Sequence, residues 1–190
     1  MNFLKIFIGS GLRFKTEPGN NCLVKILLFC FLCAGNYKAG SQTVYNDFAQ
    51  LEKRFAEGKD TLFLINFWAT WCKPCVEELP IFNELNISTP GNEKTKVLLV
   101  SLDFKNDIEK KLLPFISEKK IRKEVVLLTD PDMNSWIPRV NKDWDGNIPV
   151  TWFFQSGKKS LLINRAVKNE AELQQLIAGF IGNKNYSLTP

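Results

Sequence analysis

The sequence predicts an α/β domain in which helices flank a mixed central β-sheet. Two observations support this fold class: short apolar runs alternate with amphipathic helical patterns, and a hairpin pattern and a final helix follow them. A length of 190 residues with 45% hydrophobic residues is sufficient for one domain with an ordinary core. We therefore expect residues 41–190 to form one domain and residues 1–40 to be a separate segment.

Residues 1–40 are predicted to be a signal, leader or membrane-anchor segment. Their apolar run, residues 26–34, follows Lys25 and is shorter than the ~20 residues that a membrane-spanning helix needs. It suits the hydrophobic region of a secretory signal. A buried N-terminal helix is the alternative. Cys33 could also be a lipid-attachment site, although Leu32 stands where such sites usually carry a small residue.

The composition excludes several classes of function. The sequence contains no histidine, which excludes Ser-His-Asp and Cys-His catalysis, His-ligated haem and most zinc sites. The formal net charge of +5 arises mostly from residues 1–35, and the rest of the chain has no basic stripe. We therefore predict no nucleic-acid partner.

The first half of the domain is predicted to hold two helices around a buried strand. Apolar residues at helical spacing predict a first helix that ends near Gly58: Val44, Phe48, Leu51 and Phe55. Thr61–Trp68 is a nearly continuous run of strand formers, as expected of a strand buried on both faces. The second helix is expected to bury one face, made of Cys75, Leu79, Phe82 and Leu85.

The second half continues the alternation and then changes to a hairpin. Residues 96–104 and 125–129 predict two more strands, and the helical pattern between them is expected to be kinked or interrupted at Pro114. Residues 150–155 and 160–167 predict a β-hairpin. Asn169 and Glu172 predict the capped start of a last helix, whose core face is Leu173, Leu176, Ile177 and Phe180.

The predicted chemistry is concentrated in the sequence W-C-K-P-C at residues 71–75. Cys72 would begin the second helix, where free backbone N–H groups and the helix dipole favour a nucleophilic thiolate. Lys73 adds a neighbouring positive charge, and Pro74 fits the first helical turn, where its missing N–H costs nothing. Cys75, one turn later, could resolve a mixed disulfide by attacking Cys72.

A zinc site and a purely structural disulfide fit the paired cysteines less well than redox chemistry does. A zinc site would need further ligands, and residues 41–190 contain neither a second cysteine pair nor a histidine. A structural disulfide would gain little from closing so short a loop. Cys30 and Cys33 also have CxxC spacing, but an apolar leader cannot sustain a thiolate, so we do not expect redox activity there.

Two motifs in the chain resemble the thioredoxin superfamily. They are F-W-A-T-W-C-K-P-C at residues 67–75, followed by Pro80, and D-G-N-I-P-V-T-W-F-F-Q-S-G-K at residues 145–158. The resemblance implies a thioredoxin-like fold with a cis peptide bond between Ile148 and Pro149, packed against the CxxC motif. The backbone beside this proline would then pair with an extended substrate. A trans proline in an edge strand is the alternative.

Within the superfamily, the extra helix and strand at about residues 105–130 resemble the insertion of exported TlpA/ResA-type thiol–disulfide oxidoreductases. Asn66 stands where cytoplasmic thioredoxins have a buried aspartate. Glu78 matches a glutamate that ResA-like proteins place by the active site, so it could accept the proton of Cys75. The alternative is that Glu77 and Glu78 are both solvated helix charges.

Five tryptophans have different expected roles. Trp71 is expected to shield the first cysteine and to form part of the docking surface, whereas Trp68 is expected in the core. Trp144 could line the substrate groove or pack in the core. The sequence does not decide the roles of Trp136 and Trp152.

These features predict an exported thiol–disulfide oxidoreductase at the periplasm or outer face of a bacterial membrane, most consistent with a reductase of protein disulfides. The predicted catalytic residues are Cys72, Cys75 and Glu78, and the predicted substrate-binding residues are Trp71, Lys73, Pro74, Ile148 and Pro149.

We expect no metal and no organic cofactor. The expected partners are protein thiols and disulfides and an electron-donor thiol protein, which the resemblance implies is membrane-bound. Membrane contact is expected only through residues 1–40. The alternatives are a disulfide oxidase or isomerase, and a non-catalytic module that binds extended peptides.

Overall fold

The computed structural model describes residues 43–86 and 94–182, in which six strands form one mixed sheet with the order β1-β4-β3-β2-β5-β6. The strands are β1 (Thr43–Tyr45), β2 (Thr61–Trp68), β3 (Lys94–Ser101), β4 (Glu124–Leu128), β5 (Val150–Phe154) and β6 (Leu161–Ile163). The pairs along β1, β4, β3 and β2 are parallel, and the pairs of β2 with β5 and of β5 with β6 are antiparallel. The predicted mixed sheet is therefore confirmed.

Helices cover both faces of this sheet. They are α1 (Phe48–Glu57), α2 (Lys73–Glu84), α3 (Leu113–Glu118), α4 (Met133–Val140) and α5 (Glu170–Gly182). One buried cluster joins α2 and α5 to the sheet, and the other joins α1 and α4 to its opposite face. Side chains of β2 alternate between the two clusters, as the twofold period of a strand requires. All eight residues of β2 are buried, as predicted for this strand.

The start of α1 and the end of β3 differ from the sequence prediction. Val44 lies in β1, where it pairs with Leu127 of β4, and α1 begins only at Phe48 because Asp47 caps it by accepting from the Ala49 N–H. The apolar spacing that joined Val44 to α1 is therefore accidental. Strand β3 ends at Ser101 rather than at residue 104, since its partner β2 ends at Trp68.

The segment at about residues 105–130 contains the predicted helix and strand. It contains a 3₁₀ turn (Lys105–Asp107), a π-helical turn (Ile108–Leu112), α3 and then β4, which pairs between β1 and β3. Pro114 lies in the first turn of α3, so the predicted helix is interrupted as expected. Helix α4 was not predicted, and its apolar side chains complete the cluster under α1.

The C-terminal elements follow the prediction closely. Strands β5 and β6 form an antiparallel hairpin, although β6 ends at Ile163 rather than at residue 167. Asn169 caps α5 by accepting from the Glu172 N–H at 2.9 Å. The four predicted core residues of this helix are the buried ones. No helix within residues 43–86 and 94–182 combines the length and apolar character needed to cross a membrane. The predicted leader, with Cys30 and Cys33, lies outside the described residues.

Candidate active site

Cys72 and Cys75 form a disulfide at the start of α2. Cys72 is the N-cap residue, and its Sγ accepts a hydrogen bond from the Cys75 backbone N–H at 3.3 Å. Cys72 retains 6% exposure, whereas Cys75 is fully buried. Only the first sulfur can therefore meet a partner from solvent without rearrangement, and the second is placed to react with the first.

The positive end of α2, rather than a lysine, contacts the Cys72 sulfur. The side chain of Lys73 is 86% exposed and pairs with Glu77 at 3.8 Å across one helical turn. Its charge is thus shared and screened by water. The Cys75 N–H donates to the sulfur at 3.3 Å, so the helix N-terminus is placed to stabilise a thiolate at Cys72 once the disulfide is reduced. Pro74 occupies the first turn of the helix.

The loop that precedes β5 lies against the cysteines. The peptide bond between Ile148 and Pro149 is cis, as the family resemblance implies, so the trans alternative is wrong. The Ile148 carbonyl oxygen lies 3.8 Å from the Cys72 Sγ. Trp144 is buried under this loop and donates its indole N–H to the Asn147 carbonyl at 2.8 Å.

The tryptophans separate into one exposed and four buried side chains. Trp71 is 60% exposed beside the dithiol. Trp68 is in the core as predicted, and Trp136 and Trp152 are buried as well. Trp144 packs against Phe67 and Trp136, so it belongs to the core and not to the groove.

Glu78 is a buried carboxylate on α2, one helical turn after Cys75. It is 2% exposed and accepts hydrogen bonds from Asn66 Nδ2 at 2.8 Å and from the Val167 backbone N–H at 2.7 Å. Burial raises the pKa of Glu78 to about 7, and the two hydrogen bonds oppose that rise. The solvated alternative is wrong for Glu78 and holds for Glu77, which is exposed.

Sequence reasoning missed Asp103, which supports the loop before Cys72. This buried carboxylate accepts from the backbone N–H of Thr70 at 3.0 Å and from the Ser101 hydroxyl at 2.7 Å. An acidic residue at the carboxyl end of a buried apolar run was the available signal, because the carboxyl ends of β2 and β3 lie side by side. Val167 was also missed, since a backbone N–H leaves no mark in the sequence.

The thioredoxin family model matches residues 44–113. Thiol-disulfide oxidoreductase ResA of Bacillus anthracis is 39% identical over 54 residues, which cover 28% of this chain and 28% of that protein. ResA of Bacillus thuringiensis subsp. konkukian (strain 97-27) is 28% identical over 106 residues, 44% of this chain and 57% of that protein. The matches thus span about half the length of these relatives, or less.

A solved structure is similar over most of the domain. The thioredoxin-related protein from Neisseria meningitidis serogroup B superposes with a TM-score of 0.53 at 19% sequence identity, covering 64% of this chain and 86% of that one. At this identity the likeness establishes the fold.

Proposed function

We propose that this chain, which belongs to the thioredoxin superfamily, is a thiol–disulfide oxidoreductase that reduces disulfides of protein substrates outside the cytoplasm. The observation that carries the proposal is the asymmetric pair at the start of α2: a slightly exposed Cys72 that receives a backbone N–H, and a fully buried Cys75 bonded to it. That arrangement fits attack by one sulfur and resolution by the other.

In the reducing direction, the Cys72 thiolate attacks one sulfur of a substrate disulfide. The substrate S–S bond breaks, a Cys72–substrate disulfide forms, and the other substrate sulfur leaves and takes up a proton. Cys75 then attacks the Cys72 sulfur, which closes the internal disulfide and releases the second substrate thiol. Two electrons pass to the substrate, and Glu78 accepts the proton that Cys75 loses. An electron-donor thiol protein must then reduce the pair again.

Exposed apolar side chains at the end of the sheet that carries the dithiol favour a protein substrate. Among the described residues, the exposed large hydrophobic side chains follow the carboxyl ends of three neighbouring parallel strands: Trp71 after β2, Phe104 after β3 and Met133 after β4. The end of the Met133 side chain lies beside Gly146, since a side-chain carbon added at Gly146 would be 4.0 Å from Met133 Cε. Gly146 is two residues before Ile148, so these apolar side chains extend to the loop that precedes β5. We propose that Trp71, Lys73, Pro74, Ile148 and Pro149 contact the polypeptide around the substrate disulfide.

The location and the electron donor are further parts of the proposal. The leader-like pattern of residues 1–40 favours export to the periplasm or the outer face of a bacterial membrane, with membrane contact through that segment alone. Such a position would place the dithiol within reach of a membrane-bound thiol donor.

The reduction potential of the Cys72–Cys75 pair tests the proposal. The protein would be equilibrated in thiol–disulfide buffers, and the ratio of oxidised to reduced chains followed by Trp71 fluorescence. A value near about −270 mV supports a reductase, whereas about −120 to −180 mV would replace it with an oxidase or isomerase. The absence of any reversible couple would contradict exchange chemistry and favour a peptide-binding module. Cys75→Ser, which cannot form the couple, is the matched control.

A further inference from the structure

We infer that Asn66 is a positioning residue for Glu78: its amide holds the Glu78 carboxylate, one helical turn from Cys75, in the orientation that receives the Cys75 proton. This inference rests on the proposed exchange function, because the proton moves only when Cys75 resolves a mixed disulfide.

The geometry fixes the Asn66 amide from two sides. Asn66 lies in β2 with no solvent exposure, and its Nδ2 donates to Glu78 Oε1 at 2.8 Å and to Thr151 Oγ1 at 3.2 Å. Thr151 is the residue directly opposite Asn66 on the antiparallel neighbour β5. The two amide hydrogens therefore have one acceptor each, and the cross-strand hydroxyl keeps the NH₂ group turned toward the carboxylate.

The groups around Glu78 favour a carboxylate that can gain or lose a proton near neutral pH. Its second oxygen accepts from the Val167 N–H, so both oxygens receive a donor that stabilises the charged form. Strand β2 contributes the neutral Asn66, and β5 contributes the neutral Thr151, which bonds Asn66. The charged group that acts on Glu78 from α5 is Glu172, which raises its pKa and is itself paired with Arg165 at 2.6 Å.

The remaining atom of the amide explains how the same residue suits both protonation states. Asn66 Oδ1 is buried, and no hydrogen-bond partner for it exists among the described residues. When Cys75 loses its proton to Glu78, the new carboxyl O–H needs an acceptor. The NH₂ group faces the charged form. Rotation of the Asn66 amide would present Oδ1 to the new O–H, and the Thr151 hydroxyl, which can donate as well as accept, would then donate to Oδ1. One side chain thus supports the carboxylate before the transfer and, more weakly because that hydrogen bond joins two neutral groups, the acid after it.

A titration that needs no catalysis tests the contact. The carboxyl ¹³C signal of Glu78, assigned by its loss in Glu78→Gln, would be followed against pH in the oxidised full-length protein. In Asn66→Ala we expect the titration midpoint to rise by about one pH unit, because a hydrogen bond to the charged form is lost. Asn83→Ala is the matched control: it also removes a buried amide, on α2, but Asn83 bonds the backbone of Lys120 and Arg122 and not Glu78. An unchanged midpoint in Asn66→Ala would overturn the inference.

A second variant protects this test against misfolding. Asn66→Asp keeps the size of the side chain and places a second carboxyl group at hydrogen-bond distance from Glu78. Since two such carboxylates cannot both ionise freely, we expect the higher of the two midpoints to lie above that of the wild type. If neither midpoint exceeds the wild-type value, the inference is wrong.

A kinetic readout separates the inference from the proposed function. All proteins would carry Cys22→Ser, Cys30→Ser and Cys33→Ser, so that only the dithiol reacts with 5,5′-dithiobis(2-nitrobenzoate). Attack by Cys72 releases the first thionitrobenzoate at a rate proportional to reagent, and attack by Cys75 releases the second at a rate independent of it. We expect Asn66→Ala to slow only the second phase, about fivefold at pH 7, with its pH profile moved by the same amount as the carboxyl titration.

Each contrary result has a distinct meaning. If Glu78→Gln keeps the wild-type pH profile of the second phase, Glu78 is not the proton acceptor and the positioning role is overturned, while exchange by the two cysteines stands. If the wild type shows no second phase, the proposed exchange function fails and the inference fails with it. The carboxyl titration would still show whether Asn66 lowers the pKa of Glu78.

Discussion

The carboxylate of Asp103 accepts hydrogen bonds from both the backbone N–H and the hydroxyl of Thr70, two residues before Cys72. The same carboxylate accepts from Ser101, the last residue of β3, which pairs with Trp68 at the end of β2. Asp103 therefore links the loop that carries the dithiol to the carboxyl end of β3. These hydrogen bonds, together with α2, hold the Cys72 sulfur in position.

Removal of this carboxylate should destabilise the protein. In Asp103→Ala, the donors of Thr70 and Ser101 lose their acceptor in a buried site, and we expect the free energy of unfolding to fall by about 2–4 kcal/mol. Urea unfolding of the oxidised protein measures this. Asp107→Ala, which removes a surface pair with Lys111, should change it by less than about 1 kcal/mol. Equal effects of the two variants would contradict the proposed role of Asp103.

A gain in stability is expected at Lys120, which has a φ of 51°. A side chain in this left-handed region costs about 1–2 kcal/mol, and glycine removes that cost. Glycine also increases the conformational entropy of the unfolded chain, which offsets part of the gain in stability. Lys120→Gly should therefore raise the free energy of unfolding by up to about 1 kcal/mol. The neighbouring Lys119 has a φ of −79°, so Lys119→Gly should lower it. Thermal unfolding of both variants measures these changes in stability. A loss of stability in Lys120→Gly would refute the argument.

The parts of the fold that sequence could predict are those whose signal is local. The unbroken apolar run of β2 and the capped start of α5 each lie within one short segment. Helix α4 escaped prediction because it has only eight residues and contains Pro138, which normally ends a helical pattern. Its Trp136 and Ile137 are nevertheless buried under α1, so tertiary packing holds a helix that local preference does not indicate.

The same distinction applies to the candidate site. The cysteine pair could be proposed from its spacing, and Glu78 from the family resemblance, because all three lie within one short segment at the start of α2. Asp103 and Thr70 are 33 residues apart, and Glu78 and Val167 are 89 residues apart. Those contacts exist only because the sheet brings separate segments together. Whether Glu78 was solvated or buried therefore required the structure.

Burial of Glu78 should make stability depend on pH. Its pKa is raised from 4.5 to about 7 in the folded protein, so its contribution to stability is fully present below pH 4.5 and is lost as the pH rises through 7. A shift of this size corresponds to about 3 kcal/mol. In Glu78→Gln we expect that loss to vanish, because the amide does not ionise. From pH 4 to pH 9, the free energy of unfolding of the wild type should thus fall by about 3 kcal/mol relative to that of Glu78→Gln.

Glu77→Gln provides the control for this dependence, since Glu77 lies on the same helix but is exposed. Its difference from the wild type should stay nearly constant over the same pH range. Urea unfolding at several pH values gives both differences. A parallel pH dependence for wild type and Glu78→Gln would mean that the carboxyl group of Glu78 titrates normally in the folded protein.

The asymmetry of the two cysteines predicts different fates for two serine variants. With a peptide that contains one intramolecular disulfide, Cys75→Ser should accumulate a mixed disulfide at Cys72, because the attacking sulfur is present and the resolving sulfur is not. Cys72→Ser should form none, because Cys75 is fully buried. Both variants would carry serine at Cys22, Cys30 and Cys33, and mass spectrometry without reductant would count the adducts. Equal trapping by the two variants would show that burial does not separate their roles. If the wild type showed no exchange activity and Cys72→Ser bound the peptide as tightly as the wild type does, the results would instead favour a binding module with the same fold.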